Sequence, residues 1–131
     1  MASDRETLRT LAGGVAEVSS LPIQEERRRQ WRRHNSLEAG RPLVLCQLEG
    51  GWTEAVPEAA LACRDPLHRK FERQLRQVLW QHENIQDDTI VEPWFDVTAS
   101  AYVDPGNWGL SATFFRSHER GAHSWDPPLK E

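Results

Sequence analysis

The sequence predicts an α+β chain: N-terminal helices, one long central helix, and a few strands that include a C-terminal hairpin. Three observations carry this. Apolar residues recur at helical spacing near the N-terminus and again after Asp65. The stretch "RPLVLCQLE" is short, aliphatic and bounded by glycine on both sides. Residues 89–103, "TIVEPWFDVTASAYV", alternate between apolar and polar. Periods near 3.6 and 2 are the signatures of a helix with one buried face and of a half-buried strand.

Ser3 with Glu6 forms a capping box ahead of Leu8, Leu11, Ala12 and Val15, which predicts a helix over 4–18 that Gly13-Gly14 weakens. Ser20 and Pro22 open a second helix to about Asn35, and Gly40 and Pro42 break the pattern after it. Within it, "EERRRQWRR" sets Glu25 and Glu26 one turn before Arg28 and Arg29 and leaves Ile23 and Trp31 on an inward stripe, so the run reads as a solvated helix. "RPLVLCQLE" then reads as a buried strand. After the loop "GGWTEAVPEAALACR", Asp65 is an N-cap and Pro66 the first helical residue. Leu67, Phe71, Leu75, Val78 and Leu79 mark one apolar face through to Asn84. In the next strand Val91, Pro93, Phe95, Val97 and Ala99 face one way and Glu92, Trp94, Asp96 and Thr98 the other, with Pro93 pushing it to an edge or bulge. "VDPGNWG" is turn chemistry, and "LSATFFRS" with "GAHSW" around "HERG" predicts the hairpin.

At 131 residues the chain is expected to form one unit, with a helical arm over 1–40 and an α+β part over 41–131. The longest apolar run, Pro42 to Cys46, is too short to cross a membrane, and the acidic opening lacks the pattern of a signal peptide, so a cytoplasmic protein is expected. Cys46 and Cys63 have no zinc spacing and read as plain thiols. Residues 1–40 carry seven Arg against six acids, whereas 41–131 carry nine bases against fourteen acids. That balance speaks against nucleic acid as a partner.

The densest acidic stretch holds Glu83, Asp87, Asp88, Glu92 and Asp96, which invites a metal or a carboxylate pair. On an extended chain Glu92 and Asp96 lie roughly 13 Å apart, and the adjacent Asp87 and Asp88 diverge. The expectation is therefore an acidic helix-to-strand corner kept in water. His118 and His123 would face each other if Arg120-Gly121 were a two-residue turn, a weak metal candidate because a metal needs more than two ligands. His34, His68 and His82 fall on helices, in solvated or capping roles. Of six tryptophans, Trp52, Trp94, Trp108 and Trp125 sit in or beside loops carrying Glu, Asp or Gly, as suits a ligand pocket or an interface. The residues alone supply no nucleophile with a base, no phosphate loop and no metal cluster.

Five ordered blocks, "WRRHNSLEAGRPLV", "GGWTEAVPE", "CRDPLHRKFERQLR", "HENIQDDTIVEPWF" and "WDPPLKE", resemble the N-terminal region of bacterial uroporphyrinogen decarboxylase-like proteins. The resemblance implies the front part of a (β/α)8 barrel, a fold of about 250 residues, and hence a piece inactive alone. True decarboxylases of this family follow the first barrel strand with an Arg-Gln-Ala-Gly-Arg stretch that holds the substrate's carboxylates. Here Gln47, Leu48, Glu49, Gly50 and Gly51 follow "PLVLC". The resemblance thus leans toward the corrinoid-linked methyltransferases of the superfamily and away from a tetrapyrrole substrate. The zinc of those enzymes is held late in the barrel, so no cofactor is expected in this chain, a corrinoid partner or zinc belongs only to a full-length relative, and no catalytic residue carries over.

Active sites of parallel barrels lie at the C-terminal ends of the strands. The ligand-binding candidates are therefore Glu49, Trp52 and Glu54 after the first strand, with Glu92 and Trp94 approaching the same mouth. Carboxylates beside indoles would suit a small molecule with a cationic or donating part. Expected partners are that small molecule, a second copy of the chain or a missing C-terminal barrel, but neither nucleic acid nor a membrane. The alternative is a self-contained binding or oligomerisation module that uses an aromatic-rich surface.

Overall fold

The Ser3 capping box forms as the sequence predicts. Glu6 N–H donates to Ser3 Oγ and Ser3 N–H donates to Glu6 Oε2, opening α1, Asp4–Ser19. The computed structural model describes residues 3–97, 113–116 and 123–126. Its helices are α1, α2 (Pro22–Asn35), the single turn α3 (Trp52–Ala55) and α4 (Pro66–Asn84), and its strands are β1 (Thr113–Arg116) and β2 (His123–Asp126). The chain is α+β and divides into two compact units, Met1–Phe95 and Asp96–Glu131. No helix among the described residues is long and apolar enough to cross a membrane.

In the first unit α4 is the organising element. Asp65 Oδ1 accepts from Leu67 and His68 N–H, and Pro66 occupies the first turn, where its missing N–H costs nothing. Asp4 ties the start of α1 to the same point by accepting from the N–H groups of Arg64 and Asp65 and from His68 Nδ1. Helices α1 and α4 then pack together. Val15, Leu75 and Val91 are buried between them, with Leu8, Leu11, Val18 and Leu79 packed around. Gly13-Gly14 does not interrupt α1, because a neighbour at packing distance, Leu79, lies over Gly14 and rewards the helical path.

Helix α2 ends in a Schellman motif. Leu37 N–H donates to His34 O and Glu38 N–H to Arg33 O, with Leu37 at φ 58° and its side chain in solvent. The loop before α4 is less irregular than expected. It carries 3-10 turns at Glu49–Gly51 and Glu58–Ala60 around α3, and buries Val56, Leu61 and Cys63.

Several expectations are corrected. Neither 41–49 nor 89–97 forms a hydrogen-bonded strand. Residues 42–47 have no regular secondary structure and are not buried, since Val44 and Leu45 are 58% and 53% exposed, and Leu48 already turns helical. The segment's inward amides meet carboxylate and amide side chains instead of a neighbouring ladder. In 89–97 Val91 is buried and Phe95 stacks edge-on against Phe71 at 5.0 Å, whereas Val97 is exposed. On α4, Leu67 and Val78 are also exposed. The inward stripe of α2 is displaced too: Ile23 is exposed, and Gln24, Arg27, Arg28 and Trp31 face the protein.

The second unit holds the antiparallel pair β1–β2, with Thr113 opposite Asp126, Phe114 opposite Trp125, Phe115 opposite Ser124 and Arg116 opposite His123. This register opposes His123 to Arg116 rather than to His118, which lies outside the described residues, as do Trp108, Ala99 and the predicted turns. Phe114, Phe115 and Trp125 are exposed.

Candidate functional site

Of the acidic corner expected in water, Glu83 and Asp96 are exposed as expected, but Asp87 and Asp88 are not. Asp87 and Asp88 are both buried. They sit where the chain leaves α4, between the segment 42–47 and the inner face of α2. Arg41 grips Asp88 as a two-pronged fork, with Nη1 donating to Oδ2 at 2.8 Å and Nη2 to Oδ1. Val44 N–H donates to the same Oδ2 at 2.8 Å, and Asp88 N–H returns a bond to Val44 O at 2.8 Å. Asp87 Oδ2 accepts from Cys46 N–H, Thr89 Oγ1 and Gln81 Nε2, and Gln81 Nε2 also reaches Cys46 O.

Helix α2 holds the other side of this corner through one polar row. Arg27 donates to the carbonyls of Asp87 and Thr89, Trp31 Nε1 to that of Asp88 at 2.8 Å, and Arg28 to that of Val91 and to Glu92 Oε2 at 2.8 Å. Fully buried Gln24 accepts Val91 N–H at 2.9 Å. Residues 24, 27, 28 and 31 share one helix face, so the helix supplies an extended chain with the partners a sheet would give it. Arg27 and Arg28 of the basic run are therefore a structural clamp, while Arg29, Arg32 and Arg33 are exposed, with Arg29 on Glu26 one turn before it as the sequence predicts.

The electrostatics follow from these bonds. The Arg41 fork holds the Asp88 carboxyl down to about 2, opposing its burial. Burial alone would raise Asp87, but the Thr89 hydroxyl and the N–H groups of Cys46 and Thr89 bring it below the usual carboxylate range. Glu72 on α4, fully buried, behaves alike: burial raises it, while Ala62 and Cys63 N–H and Arg76 hold it low. Beside it the Cys63 thiol is pushed up to about 11, chiefly by burial and then by Glu72, and stays an unreactive thiol. Half-buried Cys46 is likewise unpaired with Cys63.

Four of the five predicted ligand residues separate into two grooves, and Glu54 lines neither. Trp52 packs edge-on to Trp80 at 6.0 Å and, with Glu49, lines an open groove of about 420 Å³ completed by Leu45, Cys46, Gln47, Gln81 and Thr89. Exposed Glu54 lies on α3 but does not line it. Glu92 and Trp94 line a different groove with Ser19, Ser20, Arg28 and Arg32, where the Glu92 charge is already met by Arg28 and Trp94 is exposed. The shared mouth expected from two strands does not form among the described residues. The first groove has a size suited to a small molecule and offers one carboxylate, one indole, the Thr89 hydroxyl and the Cys46 thiol. No group of three or more His, Cys, Asp or Glu among the described residues is placed to hold a metal ion.

Sequence reasoning missed Asp87, Asp88, Gln24, Arg27 and Arg41 as the organisers of this region. The available signal was "QDDT": an Asp two residues before a Thr makes a local side-chain turn, seen here as Thr89 N–H and Oγ1 both bonding Asp87. Comparison with protein-family models, curated proteins and solved structures finds no match.

Proposed function

We propose that the chain forms the front part of a uroporphyrinogen decarboxylase-like barrel enzyme, closer to the corrinoid-linked methyltransferases than to the tetrapyrrole decarboxylases, and without turnover of its own. Beside the five-block resemblance, one observation carries it. A segment of strand composition, 42–47, is followed by the long helix α4 and by the stretch 86–91, which returns beside the first with Asp88 N–H on Val44 O. Segment, helix, segment, side by side, is the order of a strand–helix–strand unit. In that frame the groove with Glu49 and Trp52 opens beyond the end of the first segment, where barrel enzymes bind substrate, and it fits a small ligand with a cationic or donating part.

The test places Glu49→Gln and Trp52→Phe in a longer relative that carries the same blocks and measures turnover and folding separately. Lost turnover at unchanged stability supports the proposal, and unchanged turnover with lost stability overturns it. A second reading, a self-contained binding module, is favoured by the hairpin, where Phe114 and Trp125 are paired across the strands and both exposed. Protection of Trp125 from a soluble quencher on adding a partner would support that alternative.

A further inference from the structure

We propose that the groove beside Trp52 selects a primary ammonium carried on an apolar body, and that Gln81 sets this choice by holding a fixed acceptor in the groove that Glu49 charges. The inference rests on the groove being a ligand site, as proposed above, and narrows its ligand to one class of cation. Gln81 lines the groove. Its Nε2 is committed to Cys46 O at 3.1 Å, Asp87 Oδ2 at 3.0 Å and Thr89 Oγ1 at 3.1 Å. A side-chain amide that is free to turn over can offer either end to a ligand. Three acceptors around Nε2 hold this one in a single orientation and leave Oε1 as its free end. No donor among the described residues reaches Oε1, and solvent does. The Thr89 hydroxyl, also on the groove, has its proton committed to Asp87 at 2.6 Å and is left with acceptor capacity.

Glu49 supplies the charge. It is the one charged side chain lining the groove, and no base among the described residues pairs with it. Its backbone holds φ at 43°, a left-handed conformation that glycine adopts freely, while the two glycines of this turn follow at 50 and 51. The side chain is thus kept at a position where the backbone favours none, and such an outlier points to a use for the carboxylate. A primary ammonium has three N–H donors, enough for a Glu49 oxygen and for Oε1, and its apolar body covers the indole of Trp52. A quaternary ammonium brings the same charge but no N–H, so it strips water from Oε1 and returns nothing.

Titration of the whole chain with 2-phenylethylammonium and with its N,N,N-trimethyl analogue, followed at the Trp52 indole N–H resonance, tests this. The primary ammonium is expected to bind about 10-fold more tightly. Glu49→Gln should weaken both cations, whereas Gln81→Met should weaken the primary one alone and bring the two affinities within about 2-fold. Glu49→Gly, which removes the charge and relieves the backbone, should lose binding while thermal stability rises. If Gln81→Met fails to fold, the affinity ratio in the unaltered chain and the Glu49→Gly result decide. Equal affinities for the two cations overturn the selection by Gln81 while the groove stays a cation site, and binding of neither overturns both. A ratio unchanged by Gln81→Met, or binding that survives Glu49→Gly, also overturns the proposal.

Discussion

The segment from Asp87 to Val91 is held on its two sides by different physics. Toward α1 and α4 it presents Val91 to Val15 and Leu75, a layer built from apolar side chains at helical spacing. Toward α2 and Arg41 it presents backbone and carboxylates, each met by a directed donor or acceptor. The apolar layer tolerates exchange among residues of similar size, because burial has no direction. The polar side does not, because removing one partner leaves another buried and unmet. One helix packs by area and the other by address.

Asp88→Ala is the strongest way to break this comparison. It strips Arg41 and Val44 N–H of their acceptor, and a loss of about 4 kcal/mol in denaturant unfolding is expected. Leu75→Ala should cost about 3 kcal/mol by leaving a cavity. Acid separates the two. The folded-state carboxyl of Asp88 titrates near 2, below its unfolded value near 4. Its contribution is present above pH 4 and disappears as pH falls toward 2. The destabilisation by Asp88→Ala, measured against pH, should therefore shrink across that window, while that of Leu75→Ala stays level. A smaller effect sharpens the polar side: Gln24→Leu removes the acceptor of Val91 N–H and is expected to cost about 2 kcal/mol. The smallest concern the helices themselves. Leu37→Gly relieves a left-handed backbone at φ 58°, and Gly13→Ala adds a methyl where nothing lies within 4 Å. Each should raise thermal stability by about 0.5–1 kcal/mol.

What the sequence made legible follows the same division. Helices α1, α2 and α4 begin where their caps place them, because Ser3–Glu6, Pro22 and Asp65–Pro66 act through the nearest turn alone. The apolar layer was readable from the spacing of Val15, Leu75 and Leu79. The strand segments were not. "RPLVLCQLE" has strand composition, yet its inner amides are taken by Asp87, Asp88 and Gln81, groups about forty residues away that no periodicity marks. The basic face of α2 looked solvated because charged helix residues usually are; here Arg27 and Arg28 meet carbonyls instead of water. Of the candidate site, Glu49 and Trp52 line one groove, and Glu92 is taken up by an ion pair with Arg28.

The central claim, that side chains of α2 and the Asp87–Asp88 corner stand in for a sheet, is tested most directly by amide hydrogen exchange on dilute protein. The account predicts protection that alternates along residues 43–47: slow at Val44 and Cys46, whose N–H groups rest on carboxylates, and fast at Leu43, Leu45 and Gln47. Asp88→Ala, which removes the acceptor, should release Val44 while leaving Leu75 in α4 protected. Uniformly fast exchange from 43 to 47, or slow exchange of Val44 that survives loss of the Asp88 carboxylate, would contradict it.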